Sequence, residues 1–315
     1  MAKYILKRVL IALVVLFGIT VIDFFIMSLI GNPIEMMSGG PKVNNAMLAR
    51  RAEAMGLDQP VIVQYWNWLK AILQGDFGYS YSDYQPVGDQ ILSHLGPTLI
   101  LTCSALVLSL VIAIAGGIYS ATHSHKKSDY VIVTLSFLGQ SVPSFFLALV
   151  LIYIFSVKLG WLPSSGMREL GTAGTGVDFR HLILPCVTLA VSMAGRNIRY
   201  IRSAMLEILN KDYLRTAEAR GIGRRRVIWK HAFRNALIPI LTVISMEIPG
   251  LFGGSIIIEQ VFSWPGLGLL TMNAVLTRDY PVIMAVCLLS AVVVLVANLV
   301  TDILYAVVDP TVRLS

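Results

Sequence analysis

Apolar residues in this chain run in long unbroken blocks, not in the alternating or half-turn patterns of a soluble core. Six blocks, Val9–Ile30, Leu99–Ala121, Val131–Val157, Leu182–Ile198, Ala236–Ile258 and Val282–Val308, stand out. Each has about the length at which a helix rising ~1.5 Å per residue crosses the roughly 30 Å hydrocarbon layer of a bilayer. The fourth is short and interrupted by Pro185. The pattern predicts an all-α integral membrane protein with six transmembrane helices and both termini on one side. Val9–Ile30 is too long for a signal-peptide core, lacks a small-residue cleavage site and ends at Gly31-Asn32-Pro33. It is therefore expected to remain as the first span.

The polar stretches divide the rest. Residues 1–8 form a short basic N-terminus, 31–96 a long loop, 97–310 a five-helix core and 311–315 a tail. Within the loop, Pro60–Leu73 is amphipathic and carries Tyr65, Trp66 and Trp68, the residues of a helix lying in the membrane interface.

Composition agrees: 56% of residues are hydrophobic and 14% charged, against roughly 45–50% and about 25% in soluble chains. The net charge of +7 raises the question of nucleic acid. The placement of the charges answers it. With the N-terminus inside, 17 Lys and Arg fall on the cytoplasmic side and 8 on the other. That is the positive-inside bias, so the chain is read N-in and C-in, with no nucleic-acid partner. Cys103, Cys186 and Cys287 each lie in an apolar block, an odd set with no disulfide or metal-ligand spacing.

Chemistry-bearing motifs are absent. The sequence has no phosphate-binding Gly-x-x-x-x-Gly-Lys-[Ser/Thr] loop, His-Glu-x-x-His, paired-Cys motif or Gly-x-Ser-x-Gly. No catalytic residue, metal site or cofactor is assigned. His123-Ser124-His125 reads as a solvated turn more readily than as a metal site. Acidic residues in spans matter more, because an ionisable group there usually faces a cavity or a partner. Asp23 lies in the first span, and Glu247 lies in the fifth within Ser245-Met246-Glu247-Ile248-Pro249-Gly250. Two readings stand for Glu247. It borders a translocation path with Ser245 and Met246, meeting amino groups of substrate, or it bonds to another span. Glu259 and Asp302 read as end-of-span anchors. Gly250 and Gly254 form a Gly-x-x-x-Gly pair suited to close helix packing.

One polar island is more structured than a charge anchor requires. After Leu182–Ile198, the loop 199–235 contains Asp212, Tyr213, Leu214, Arg215, Thr216, Ala217, Glu218, Ala219, Arg220 and Gly221. Asp212 is a good N-cap and Gly221 a C-terminal stop, followed by Gly223 and Arg224–Arg226. Leu214, Ala217 and Ala219 give the short helix an apolar stripe, shaped to dock in a groove on another protein. The plainer alternative is a loop that only holds positive charge in the cytosol, where contact with anionic lipid could coexist.

The island resembles the cytoplasmic coupling loop, the EAA loop, of permease subunits of binding-protein-dependent ABC importers. Gly221 takes the Gly position, Arg215-Thr216-Ala217 stand in place of Glu-Ala-Ala, and His231-Ala232-Phe233-Arg234 replace Ile-x-Leu-Pro. With Asn235-Ala236-Leu237-Ile238-Pro239 following, the stretch is similar to the dipeptide, oligopeptide and nickel branch. So are Gly75-Asp76-Phe77-Gly78-Tyr79-Ser80, Leu138-Gly139-Gln140-Ser141-Val142-Pro143, Gly160-Trp161-Leu162-Pro163 and Phe262-Ser263-Trp264-Pro265-Gly266.

The resemblance implies a type I importer permease fold in a prokaryotic cytoplasmic membrane. It also implies a second homologous permease subunit, two cytoplasmic ATPase subunits and an extracytoplasmic solute-binding protein. Asp212–Gly221 would couple ATP hydrolysis by the partners to alternating access. Peptides are the expected cargo, with nickel or a metal chelate, or glutathione, as alternatives. The competing class is a self-sufficient ion-driven transporter or intramembrane enzyme using Asp23, Glu247 and Asp302.

Overall fold

The computed structural model describes residues 2–30, 58–169, 176–237, 240, 247 and 255–308. It is helical, and among the described residues the one strand-like feature is an isolated bridge between Tyr79 and Pro86. The chain divides into two compact units, Met1–Gly96 with Leu270–Val300 and Pro97–Leu269 with Thr301–Ser315.

In the first unit, α1 (Ala2–Ile30) contains the first apolar block, and α2 (Val61–Leu73) packs against it. α2 turns one side to α1, with Tyr65 buried while Trp66 is exposed. The Tyr65 hydroxyl lies 3.0 Å from Thr20 Oγ1, and Phe24 sits 5.5 Å from the Tyr65 ring and 5.4 Å from Trp68. Asp23 is buried beside them, with Oδ2 unbonded among the described residues.

The loop after α2 turns at Gly75 and Gly78, both at positive φ. It is held by Asp279, which accepts from the amides of Tyr81 at 3.0 Å and Ser82 at 3.2 Å and from the Ser80 and Ser82 hydroxyls. Burial pushes the Tyr81 phenol up to about 12, helped by the charge of Asp279 and by Tyr280. Past Asp279 the last apolar block forms a helix (Tyr280–Val308).

The second unit takes most of α3 (Val87–Thr122), which straddles the division. The block read as one span, 131–157, is instead two helices, α4 (Lys127–Ser141) and α5 (Ser144–Leu151), with a π-helical extension Ile152–Lys158. The two arms meet at 99°. Pro143 has no amide to continue the hydrogen-bond ladder, and it disfavours helical backbone at Val142, which is extended.

The weakest block in the sequence becomes the centre of the unit. α6 (Phe179–Leu209) starts where the Asp178 carboxylate accepts the Arg180 amide at 2.9 Å, and it runs well beyond 182–198. Pro185 is accommodated within it. Two apolar clusters flank α6. One joins Leu101, Ala148, Leu184, Phe262 and Trp264, and the other joins Ile118, Ile198, Ile201 and Met205 to the residues that follow α6.

Among the described residues four helices, Ile5–Leu29, Val87–Thr122, Phe179–Leu209 and Tyr280–Val300, are long and apolar enough to cross a bilayer, and the bent pair makes a fifth crossing if it is one span. The expected span 236–258 lies largely outside the described residues, as does its Gly250/Gly254 pair. Glu259, read as an anchor, is fully buried and caps the helix Leu267–Thr277. It accepts from the amides of Gly268 at 2.6 Å and Leu269 at 3.1 Å and from Thr98 Oγ1 at 2.9 Å.

Candidate functional site

Asp212–Ala219 forms a helix (α7), as its capping pattern predicts, and Gly221 ends it at φ +79°. The Ile222 amide closes the turn on the Ala217 carbonyl at 3.2 Å. The apolar stripe, expected to dock on another protein, is used within the chain. Leu214 is only 2% exposed, packed with Ile201 and Met205 of α6 and with Val227 and Ala232 of a π-helical stretch, Val227–Ala232. Ala217 packs on the same cluster.

Burying a leucine is worth about 1.5–3 kcal/mol, which fixes α7 to the inner framework of the unit. The face turned outward is largely polar: Asp212, Tyr213, Arg215, Thr216 and Arg220 are exposed, and so is Ala219, which was expected in the apolar stripe. Tyr213 is braced from behind, its hydroxyl accepting from Asn235 Nδ2 at 2.9 Å. The side chain of Glu218 lies outside what is described.

α6 carries a feature not recognised in the sequence. Arg196, Arg199 and Arg202 recur every third residue; Arg199 and Arg202 engage opposite ends of α4, and Arg196 engages Glu247. Arg202 grips Asp129 of α4 with Nε at 2.8 Å and Nη2 at 2.7 Å. Ser120 Oγ and the His125 amide, the latter at 3.0 Å, donate to the same carboxylate. Asp129 is 2% exposed. Arg199 bonds Gln140 and lies 4.2 Å over the Phe137 ring. Three arginines at helical spacing beside an acid in a Lys-Lys-Ser-Asp turn were the available signal.

Arg196 meets Glu247. Its Nε lies 3.0 Å from Oε1 and its Nη2 2.8 Å from Oε2, so both carboxylate oxygens are held by one guanidinium edge. The bond to another span, one of the two readings of Glu247, is thus present. A carboxylate neutralised this way is a poor partner for a substrate amine. The Arg196 side chain is 48% exposed, and among the described residues two of its five N–H groups are used. Ser245 and Met246 lie outside the described residues, so nothing brings them together with Glu247.

Residues 113–314 match the family described as the binding-protein-dependent transport system inner membrane component, and residues 1–102 match its N-terminal companion. The chain belongs to this family. It is a transport permease subunit and not an enzyme.

Among relatives, this permease is 44% identical over 316 residues to the oligopeptide transport system permease protein AppB of Bacillus subtilis, covering 99% of this chain and 100% of the relative. It is 38% identical over 314 residues to the glutathione transport system permease protein GsiC of Escherichia coli, covering 99% of each. The inward-facing MetNI methionine ABC transporter superposes with a TM-score of 0.59 at 19% identity, over 70% of this chain and 96% of that one. An amino acid ABC transporter solved with histidines gives 0.51 at 16%, over 69% and 92%. At these identities the structures speak to fold, that of the type I importer permeases.

Proposed function

We propose that this permease is one half of the translocation pathway of a peptide importer in a prokaryotic cytoplasmic membrane. It would pair with a second homologous permease, two cytoplasmic ATPases and an extracytoplasmic solute-binding protein. Six spans place both termini and the loop 199–235 in the cytoplasm, and 31–96 outside. The full-length likeness to an oligopeptide permease supports peptide as cargo. The glutathione permease relative favours a second reading, the tripeptide glutathione.

The observation that carries the coupling role is the arrangement of α7. Its Leu214 side is locked into the cluster shared with α3 and α6, and its polar side is free to receive a partner. A helix attached that way passes a push to the spans instead of absorbing it. Asp212–Gly221 is the segment assigned to ATPase contact. With Leu214 and Ala217 committed inward, Tyr213, Arg215 and Arg220 would meet a groove with an acidic rim.

We assign Glu247, paired with Arg196, to the border of the passage, and the assignment extends along the chain to Ser245 and Met246. A half-exposed guanidinium in a span needs water or a polar partner at its open edge, and a cavity supplies it. Uptake of labelled oligopeptide into vesicles containing the complete importer tests both statements. Uptake requires ATP and the ATPases, and vesicles with this chain alone give none. Glu247→Gln weakens the grip on Arg196 and lowers uptake severalfold. Solute movement by the chain alone, or unchanged uptake of every peptide by Glu247→Gln, contradicts the respective statement.

A further inference from the structure

The basic residues of two loops of the second unit do more than mark a side of the membrane. The turn after α3 and the segment after α7 together line an open cavity of about 410 Å³. Lys126, Arg224, Arg225 and His123 line it, and no Asp or Glu does. None of Lys126, Arg224 and Arg225 has an ion pair among the described residues. Residues about a hundred positions apart are thus folded into one concavity of like charge. That repulsion is relieved only by water or by an anion.

The surroundings set its depth in the membrane. Thr122 is the last residue of α3, Lys126 directly precedes α4, and Trp229 and Ile228 lie a few residues before the apolar block at Ala236. Tyr119 stacks on His123 at 4.3 Å and is 45% exposed, and Trp229 is 50% exposed. Half-exposed aromatic rings at the ends of spans mark the headgroup level. Arginine forks suit phosphate oxygens, and lysine adds a point charge.

We propose that this cavity binds the phosphate of an anionic phospholipid, with the acyl chains lying past Tyr119 and Trp229. No residue of α7 lines the cavity, so lipid and ATPase would be held by different residues.

The test is retention of phosphatidylglycerol by the complete importer purified in detergent, read by native mass spectrometry. Lys126→Gln with Arg225→Gln removes one cation from each loop and leaves Asp212–Gly221 intact. Near a surface each cation contributes about a fivefold factor, so retention should fall about tenfold or more. Phosphatidylcholine should be retained weakly by both proteins, and millimolar inorganic phosphate should not displace phosphatidylglycerol from the wild type. Equal melting temperatures for the two proteins establish that the variant is folded.

Unchanged retention in the double variant overturns the proposal. Displacement by inorganic phosphate would assign the cavity to a free anion instead of a lipid. Loss of the ATPases on purification with lipid retention intact would assign it to a protein partner. Either result rejects the lipid site.

Discussion

Gly195→Val removes the permease from the membrane fraction. Gly195 lies on α6 where that helix crosses α4, and a Cβ there would overlap the Ser136 carbonyl oxygen and lie 3.3 Å from the Gln140 amide. These are backbone atoms and cannot rotate away, so relief requires the two helices to separate. Overpacking costs ~1–3 kcal/mol even where side chains can yield. Here it also lengthens the bonds of Arg199 and Arg202 to Gln140 and Asp129. Gly116→Ala is the control, since its Cβ would meet Ile198 at an ordinary 3.5 Å. Membrane-fraction immunoblots should show Gly195→Val at a small fraction of wild type and Gly116→Ala near it. Equal levels of Gly195→Val and wild type would mean that α4 and α6 are not in backbone contact.

Asp129→Ala has the second large effect. Its carboxylate accepts from Arg202, Ser120 and the His125 amide, and Arg202 is itself 24% exposed at the side chain. Removing the acid strands a largely buried guanidinium, and breaking such a pair costs about 3–5 kcal/mol. Thermal melting of the purified importer should fall by several degrees. Arg202→Ala should do the same, and Arg202→Lys, which keeps the charge but not the fork, should fall between. The exposed pair Arg215–Asp212 at 4.0 Å provides the contrast, because Arg215→Ala should leave melting unchanged. No loss in Asp129→Ala would contradict the buried linkage of α4 to α6.

Block length and residue chemistry made the long helices and α7 legible in the sequence. An uninterrupted apolar run has no other way to satisfy its backbone in lipid, and Asp212 and Gly221 punctuate a helix by local rules. What local rules miss is direction and partnership. The stripe of Leu214 and Ala217 was visible, but only the neighbouring Ile201, Met205 and Val227 decide that it points inward. Pro143 was visible too, yet hydropathy averages over a proline and reported one span where the chain bends. Leu182–Ile198 looked weak because it is short and interrupted by Pro185, yet the helix continues through Arg199 and Arg202, which with Arg196 tie α6 to Gln140, Asp129 and Glu247. The pairing of Glu247 with Arg196 joins residues fifty apart in the chain, and no spacing rule finds that.

Partner contact at the outward face of α7 can be read from one side chain. Ala219 is exposed and lies within the segment assigned to the ATPases. In a background lacking Cys103, Cys186 and Cys287, Ala219→Cys is labelled with a water-soluble maleimide, in this permease alone and in the assembled, transport-competent importer. The account requires rapid labelling in the permease alone and strong protection once the ATPases are bound. Equal labelling in both, with transport intact, would show α7 bathed in water during the cycle and contradict it.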